Sequence, residues 1–266
     1  MDNLVHVDRI VAGKFPGKKI PGFLIRFFQR LIHEDWINGS VISSGREGIG
    51  YCVDTIKYLD LHIEVEGLEN IPDDGTLYTF ASNHPLGGAD GVALAGLIGE
   101  RFGRLMVPVN DFLMYLKPLS KICIPVNKTG RQARELAQQM DEMFRSDNHV
   151  LFFPAGACSR LIDGKVQDLP WLKTFVKKSV ETGRSIVPVH FIGENSKRFY
   201  RVARVCKALK LKFNFAMLLL PDELYRAQHG NFKVIFGKPL PPQTFDESKS
   251  AAGWADWLRS ETYKLQ

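Results

Sequence analysis

Cysteine is scarce in this 266-residue sequence, and no two of its four cysteines form a Cys-x-x-Cys pair. Cys52, Cys123, Cys158 and Cys206 are scattered, which argues against a zinc site and a dense disulfide framework. They fit reduced thiols in a cytoplasmic protein. Long apolar runs are missing too: nothing approaches the roughly 18 residues a membrane-spanning helix needs. Residues 1–14 carry Asp2, Asp8 and Arg9 and lack the apolar centre of a signal peptide. The expectation is a protein in solution or on a membrane surface. Excess negative charge is also absent. The formal charge is +6 and the pI about 9.1, so the partners to consider are acidic: nucleic acid, anionic lipid headgroups, or an acidic carrier protein. No helix-turn-helix, zinc-finger or RNA-binding signature is present, which sets nucleic acid aside. Internal repeats and low-complexity linkers are lacking as well.

What remains is an ordinary globular composition, 45% apolar and 24% charged, at a length that suits one sizeable domain. Along the chain an α/β rhythm is visible. Leu61–Glu66 alternates apolar and polar, as an edge or half-buried strand does. Thr76–Ala81, Leu105–Val109, Ile122–Val126, Val150–Phe153, Ser185–Ile192 and Asn231–Phe236 read as further strands. Pro108 and Pro125 imply an edge position or irregular pairing for theirs. Gly91–Arg101, Arg131–Arg145, Pro170–Thr182 and Asp246–Leu265 read as helices, the third opening on Pro170 and stopping at Gly183. The expected fold is α/β, a mixed and mainly parallel sheet flanked by helices. A basic amphipathic helical extension (1–56) precedes the α/β domain (57–266).

Lys14–Trp36 carries that amphipathic signal. Phe23, Leu24, Phe27, Phe28, Leu31 and Ile32 share one helical face, with Arg26, Gln29, Arg30 and His33 opposite. The stripe suits docking on the protein's own core and insertion at an anionic bilayer interface equally. A second basic-apolar stretch, Tyr200–Leu220, either contacts the same membrane or ends in one more buried strand.

The segment Ser82-Asn83-His84-Pro85-Leu86-Gly87-Gly88-Ala89-Asp90-Gly91 places a candidate base and acid on one glycine-rich turn between strand and helix. Strand-end loops of this kind carry catalytic groups in open α/β sheets. A carboxylate that holds a histidine's tautomer makes it a competent base near neutral pH. The plainer reading makes Asp90 the N-cap of the following helix and His84 a loop histidine bonded to backbone. Two more apolar runs end in small-residue loops, Val150–Arg160 and Ser185–Ser196. Three parallel strands ending at one edge would gather all three loops around one crevice.

With these segments the chain resembles the glycerophospholipid (lysophospholipid) acyltransferases, over roughly residues 60 to 240. That family is marked by Asn-His followed by Asp, a Phe-Pro-Glu-Gly block and a later Val-Pro-Val block. Here the interval from His84 to Asp90 holds five residues where the family usually has four. The block's Glu is Ala155, and Cys158 stands where an Arg is expected, with Arg160 two positions on. Both departures are similar to the haemolysin-like branch, which includes enzymes that O-acylate lyso-ornithine and related amino-acid lipids. The resemblance implies a lyso-amino-acid lipid as acceptor in preference to lysophosphatidate.

Acyl transfer from a thioester to a hydroxyl requires proton removal, oxyanion stabilisation and exclusion of water. His84 can take the proton, with Asp90 orienting the ring and stabilising the imidazolium. Gly87 and Gly88 permit the turn that lets the longer interval close. Backbone N–H groups of this loop, or of Gly156 to Cys158, can serve as oxyanion donors. Asn83, Gly87, Gly88, Lys128, Arg131, Gly156, Ser159 and Arg160 form the expected substrate-binding set. Of the cations, Lys128, Arg131 and Arg160 suit an anionic headgroup or the donor's phosphopantetheine, though each also reads as a solvated surface charge.

No bound cofactor is expected; an acyl carrier protein or coenzyme A thioester is the co-substrate. Other partners are a lyso-lipid acceptor and an anionic membrane at the cytoplasmic face. No metal-ligand spacing appears. Cys158 paired with His84 or His190 offers a nucleophile alternative. Ser82 and Ser159 lack the Gly-x-Ser-x-Gly elbow of serine hydrolases. His6, His33, His62, His149 and His229 share no motif. A hydrolase using the same pair on water and a non-catalytic lipid-binding protein stay open as rivals.

Overall fold

The computed structural model describes residues 3–14, 17, 19–126, 132–209 and 215–266. Its centre is a seven-stranded sheet. In chain order the strands are β1 (His62–Glu66), β2 (Tyr78–Ser82), β3 (Leu105–Val109), β4 (Cys123–Pro125) and β5 (His149–Phe152). A short antiparallel hairpin, β6 (Arg160–Ile162) and β7 (Lys165–Gln167), stands apart, and β8 (Ser185–Ile192) and β9 (Asn231–Phe236) return to the sheet. The order across the sheet is β1-β9-β8-β2-β5-β3-β4. Every pairing is parallel except β8 with β9. The α/β expectation, mixed and mainly parallel, therefore holds.

The helices are α1 (Val7–Lys14), α2 (Gly22–Leu31), α3 (Glu34–Ser44), α4 (Ile49–Tyr58) and α5 (Ala89–Phe102). After these come α6 (Gln132–Arg145), α7 (Thr174–Glu181), α8 (Lys197–Ala208), α9 (Leu220–Arg226) and α10 (Ala251–Thr262). Alternation along each strand divides the core between two faces. On β2, Tyr78 and Phe80 join Tyr51 and Cys52 of α4 and Leu94 and Ile98 of α5. Ala81 faces the other way, toward Met143 and Phe144 of α6, Phe175 of α7 and Trp254 and Leu258 of α10. A β-carbon on Gly96 would meet the Ile56 side chain at 2.7 Å; its absence is what lets α4 and α5 pack so closely. A third cluster joins Cys158 to Phe199 and Ala203 of α8, Leu219, and Leu31 of α2.

Leu61–Glu66 is the edge strand its alternation predicts. The prolines behave as expected: β4 lies at the opposite edge, and β3 pairs with β5 only through Leu105 and Met106, before Pro108. Three expectations fail, the first at the closing helix, which runs Ala251–Thr262 and not Asp246–Leu265 because the Ser250 hydroxyl caps it on the Gly253 amide. The helix read from Pro170 starts at Thr174, because Trp171 Nε1 donates to Asp168 and the Leu172 amide to Pro154 O, drawing the chain into a non-helical path. The described end of the Tyr200–Leu220 stretch is a 3₁₀ turn, Phe215–Leu219, running into α9, and not a strand. No residue of α2 is buried; Phe23 and Phe27 are 63% and 56% exposed. Among the described residues, no helix is long and apolar enough to cross a membrane.

Candidate active site

Since β8, β2 and β5 are adjacent and parallel, the chain leaves all three at the same edge. Asn83 follows β2 directly, and its side chain extends the β2–β8 ladder by one step. Its amide donates to Phe191 O at 2.9 Å, and its oxygen accepts the Phe191 N–H at 2.7 Å. Expected to bind substrate, Asn83 is 3% exposed, with its amide group already engaged there. His84 comes next and turns its ring toward α5. Its Nδ1 lies 3.0 Å from Asp90 Oδ2.

Asp90 is fully buried in the first turn of α5, whose N-cap is Gly88, so it is not the N-cap residue. The Leu86 N–H donates to the same Oδ2 at 2.9 Å and the Gly91 N–H to Oδ1 at 2.8 Å. A carboxylate only accepts, so His84 Nδ1 carries the hydrogen and Nε2 keeps its lone pair. The imidazole stacks on Phe153, centroids 4.0 Å apart, and its side chain remains 16% exposed. Burial works against the imidazolium, but the Asp90 charge and hydrogen bond outweigh it and hold the His84 pKa above its usual value. Asp90 moves the other way. Burial disfavours its charge, yet the His84 charge and the hydrogen bonds from His84 and from the Leu86 and Gly87 amides keep its pKa low.

Gly87, at φ +79°, packs against the Cys158 sulfur, and Gly88 lies against Leu224 of α9. Asn195 after β8 donates to Pro85 O at 3.1 Å and Leu86 O at 3.3 Å, bracing the turn. Thus all three loops do meet. The Ser159 amide donates to His84 O at 2.8 Å, while its hydroxyl donates to Asp168 Oδ1 at 2.5 Å. The Gly156 amide is engaged with Phe153 O at 3.0 Å. Arg160 donates to the Cys158 and Ser159 carbonyls and lies over the Phe199 ring at 5.7 Å, close enough for its charge to act on His84. Lys128 and Arg131 lie outside the described residues.

Cys158 is buried, and burial pushes its thiol up to about 12, which leaves it a poor nucleophile. His190 is held on Leu265 O at 2.8 Å and stacks edge-on with Tyr263. The other histidines are dispersed: His33 on Asp222, His229 on Asp60, His149 against the Tyr78 amide. No three metal-ligating side chains converge among the described residues. Asp168, which sequence reasoning missed, also accepts the His84 amide at 3.2 Å. Its only sequence signal is an acidic residue just before Leu169-Pro170-Trp171.

The chain is similar to known proteins along nearly its whole length. The family model for acyltransferases matches residues 9–266. The lyso-glycine lipid O-acyltransferase of Bacteroides thetaiotaomicron is 46% identical over 98% of this chain and 97% of its own length. That of Phocaeicola vulgatus is 45% identical over 98% and 95%. A solved structure, the 1-acyl-sn-glycerophosphate acyltransferase PlsC from Thermotoga maritima, aligns over 91% of this chain and 95% of its own, at 17% identity and a TM-score of 0.47. A match that runs nearly the whole length, with relatives so similar, makes this chain a member of the acyltransferase family.

Proposed function

We propose that this protein moves a fatty acyl group from the thioester of an acyl carrier protein or coenzyme A to the free hydroxyl of a lyso-glycine lipid. The observation that carries the chemistry is the 3.0 Å contact between His84 Nδ1 and buried Asp90. The acceptor rests on the names of the two curated relatives and on Ala155, which leaves the loop after β5 without its usual carboxylate. His84 Nε2 takes the proton of the acceptor hydroxyl as its oxygen attacks the thioester carbonyl. Asp90 supports the imidazolium. With the Gly156 amide engaged on Phe153 O, this reading assigns the oxyanion to the Ala157 amide. An ester C–O bond forms, the C–S bond breaks, and the imidazolium proton passes to the departing thiolate. No acyl-enzyme is needed.

The working place in this reading is the cytoplasmic face of an anionic membrane, where acceptor and product reside. Exposed Phe23 and Phe27 beside Arg26 and Arg30 support it, as do the exposed Lys197, Arg198, Arg201, Arg204 and Lys207 of α8, a helix without acids.

The test supplies purified protein with acyl carrier protein and coenzyme A thioesters in separate arms, and with vesicles holding lyso-glycine lipid. Diacylated lipid should form in at least one arm, and His84→Ala should slow it by about 10²–10⁴-fold. Fatty acid released at the same rate without acceptor would make it a hydrolase, and an unimpaired His84→Ala would remove the base.

A further inference from the structure

Asp168 takes no part in the steps above, yet among the described residues no other carboxylate but Asp90 is tied so closely to His84. It lies just after β7, fully buried. Oδ1 accepts the His84 amide at 3.2 Å and the Ser159 hydroxyl at 2.5 Å; Oδ2 accepts the Trp171 indole N–H at 2.8 Å. The Ser159 amide closes a ring by donating to His84 O at 2.8 Å. Behind it, the Asp168 amide donates to Tyr263 Oη at 2.8 Å, and Arg259 donates to its carbonyl at 2.6 Å. The base is therefore gripped twice, at its ring by Asp90 and at its main chain by Asp168.

We propose, resting on the acyl-transfer reading above, that Asp168 is a positioning residue: a second acid that sets the height of His84 and supports the imidazolium with its charge. A main-chain amide and an indole can only donate, so both oxygens must accept, as a carboxylate does. All three of these donors are neutral, so the charge is not quenched by an ion pair, and its field reaches the neighbouring ring. A bracket would need only the oxygens. Burying a carboxylate is costly unless its charge has a counterpart, and the cation that His84 becomes during the reaction is that counterpart.

The groups around the pair are few. Asp90 faces His84 from α5; Arg160, in β6, opposes the imidazolium, and the Cys158 thiol beside it is neutral. Arg259 of α10 and Tyr263, just past its end, face Asp168, as does His190 from β8. Burial outweighs the three hydrogen bonds and the His84 charge and holds the Asp168 carboxyl above its usual value, so the donors and the cation of His84 are what favour its charged form.

The pH profile of kcat/KM separates this role from a structural one. Asp168→Asn should lower kcat by about tenfold and move the acid limb down by about 0.5–1 pH unit, with the donor KM within about twofold. Trp171→Phe keeps the carboxyl but removes one donor, weakening the anion. It should move the limb the same way by less, and it serves if Asp168→Asn does not fold. Tyr263→Phe removes the tether behind the loop and should leave the limb in place. Overlaid profiles for wild type and whichever of Asp168→Asn and Trp171→Phe folds would overturn the proposal. So would a loss in Tyr263→Phe equal to that in Asp168→Asn. If His84→Ala is inactive while Asp168→Asn matches wild type at every pH, only the Asp168 assignment falls. An active His84→Ala removes the underlying reading.

Discussion

Gly87 faces the sulfur of Cys158 at φ +79°, leaving no room between them for a β-carbon. This contact holds the His84 turn against the loop after β5. Any other residue meets two penalties here, a strained backbone and a collision with Cys158 and Leu220. Gly87→Ala should cost about 2–3 kcal/mol, read from the urea midpoint, and should reduce acyl transfer as the turn shifts. Adding Cys158→Ala relieves the collision with the sulfur but not the Leu220 contact or the strain, so it should recover part of the loss. Full stability in Gly87→Ala alone would contradict the packing.

The raised His84 pKa fixes a pH dependence. The base must be neutral to act, so kcat/KM should rise with pH through a midpoint above about 6.5, the usual histidine value. Asp90→Asn removes the larger charge that lifts it and leaves burial opposed by Asp168 alone. The midpoint should then fall below about 6.5, and kcat should drop by about 10²–10⁴-fold because the ring loses its orienting acceptor. A wild-type midpoint below that value would count against Asp90 as the group that lifts it.

Cys158 touches the turn but should not react. With its thiol pushed up to about 12 and its side chain buried, almost no thiolate exists near pH 8. Iodoacetamide should leave activity intact over the time in which free cysteine is consumed, and Cys158→Ala should keep transfer within about threefold. Accumulation of an acyl thioester on the protein would reverse this assignment.

Much of this architecture was legible in the chain because apolar runs ending in glycine and small residues are local signals. The strands that carry His84, Ser159 and Asn195 could be read that way, and so could the closeness of His84 to Asp90, only six positions apart. Direction and distance were not. Nothing in Asn231–Phe236 says that it runs antiparallel to β8 and parallel to β1. Asp168 reaches His84 across 84 positions, and Pro170 offers a helix start that the Trp171 and Leu172 hydrogen bonds overrule. α4 hid for another reason: it buries Gly50 and Thr55 among its inward residues, so its stripe is faint in the sequence.

His149 carries the last prediction, and it concerns stability. Its Nδ1 accepts the Tyr78 N–H at 3.1 Å, so the ring must stay neutral for β2 and β5 to keep this link. Burial first, then the nearby charges of Arg104 and Arg184, pull its pKa down to about 4. The unfolded chain protonates this histidine near pH 6.5 while the folded one resists until about pH 4. Its contribution is thus fully present above about pH 6.5 and is lost as the pH falls from there toward about 4. Between pH 7 and pH 5 the loss should be about 2 kcal/mol. His149→Asn, whose side-chain oxygen can still accept the Tyr78 amide, should be less stable at pH 7 but lose correspondingly less on acidification. Urea unfolding of both proteins at the two pH values measures the difference, and equal slopes would show that another group drives the acid response.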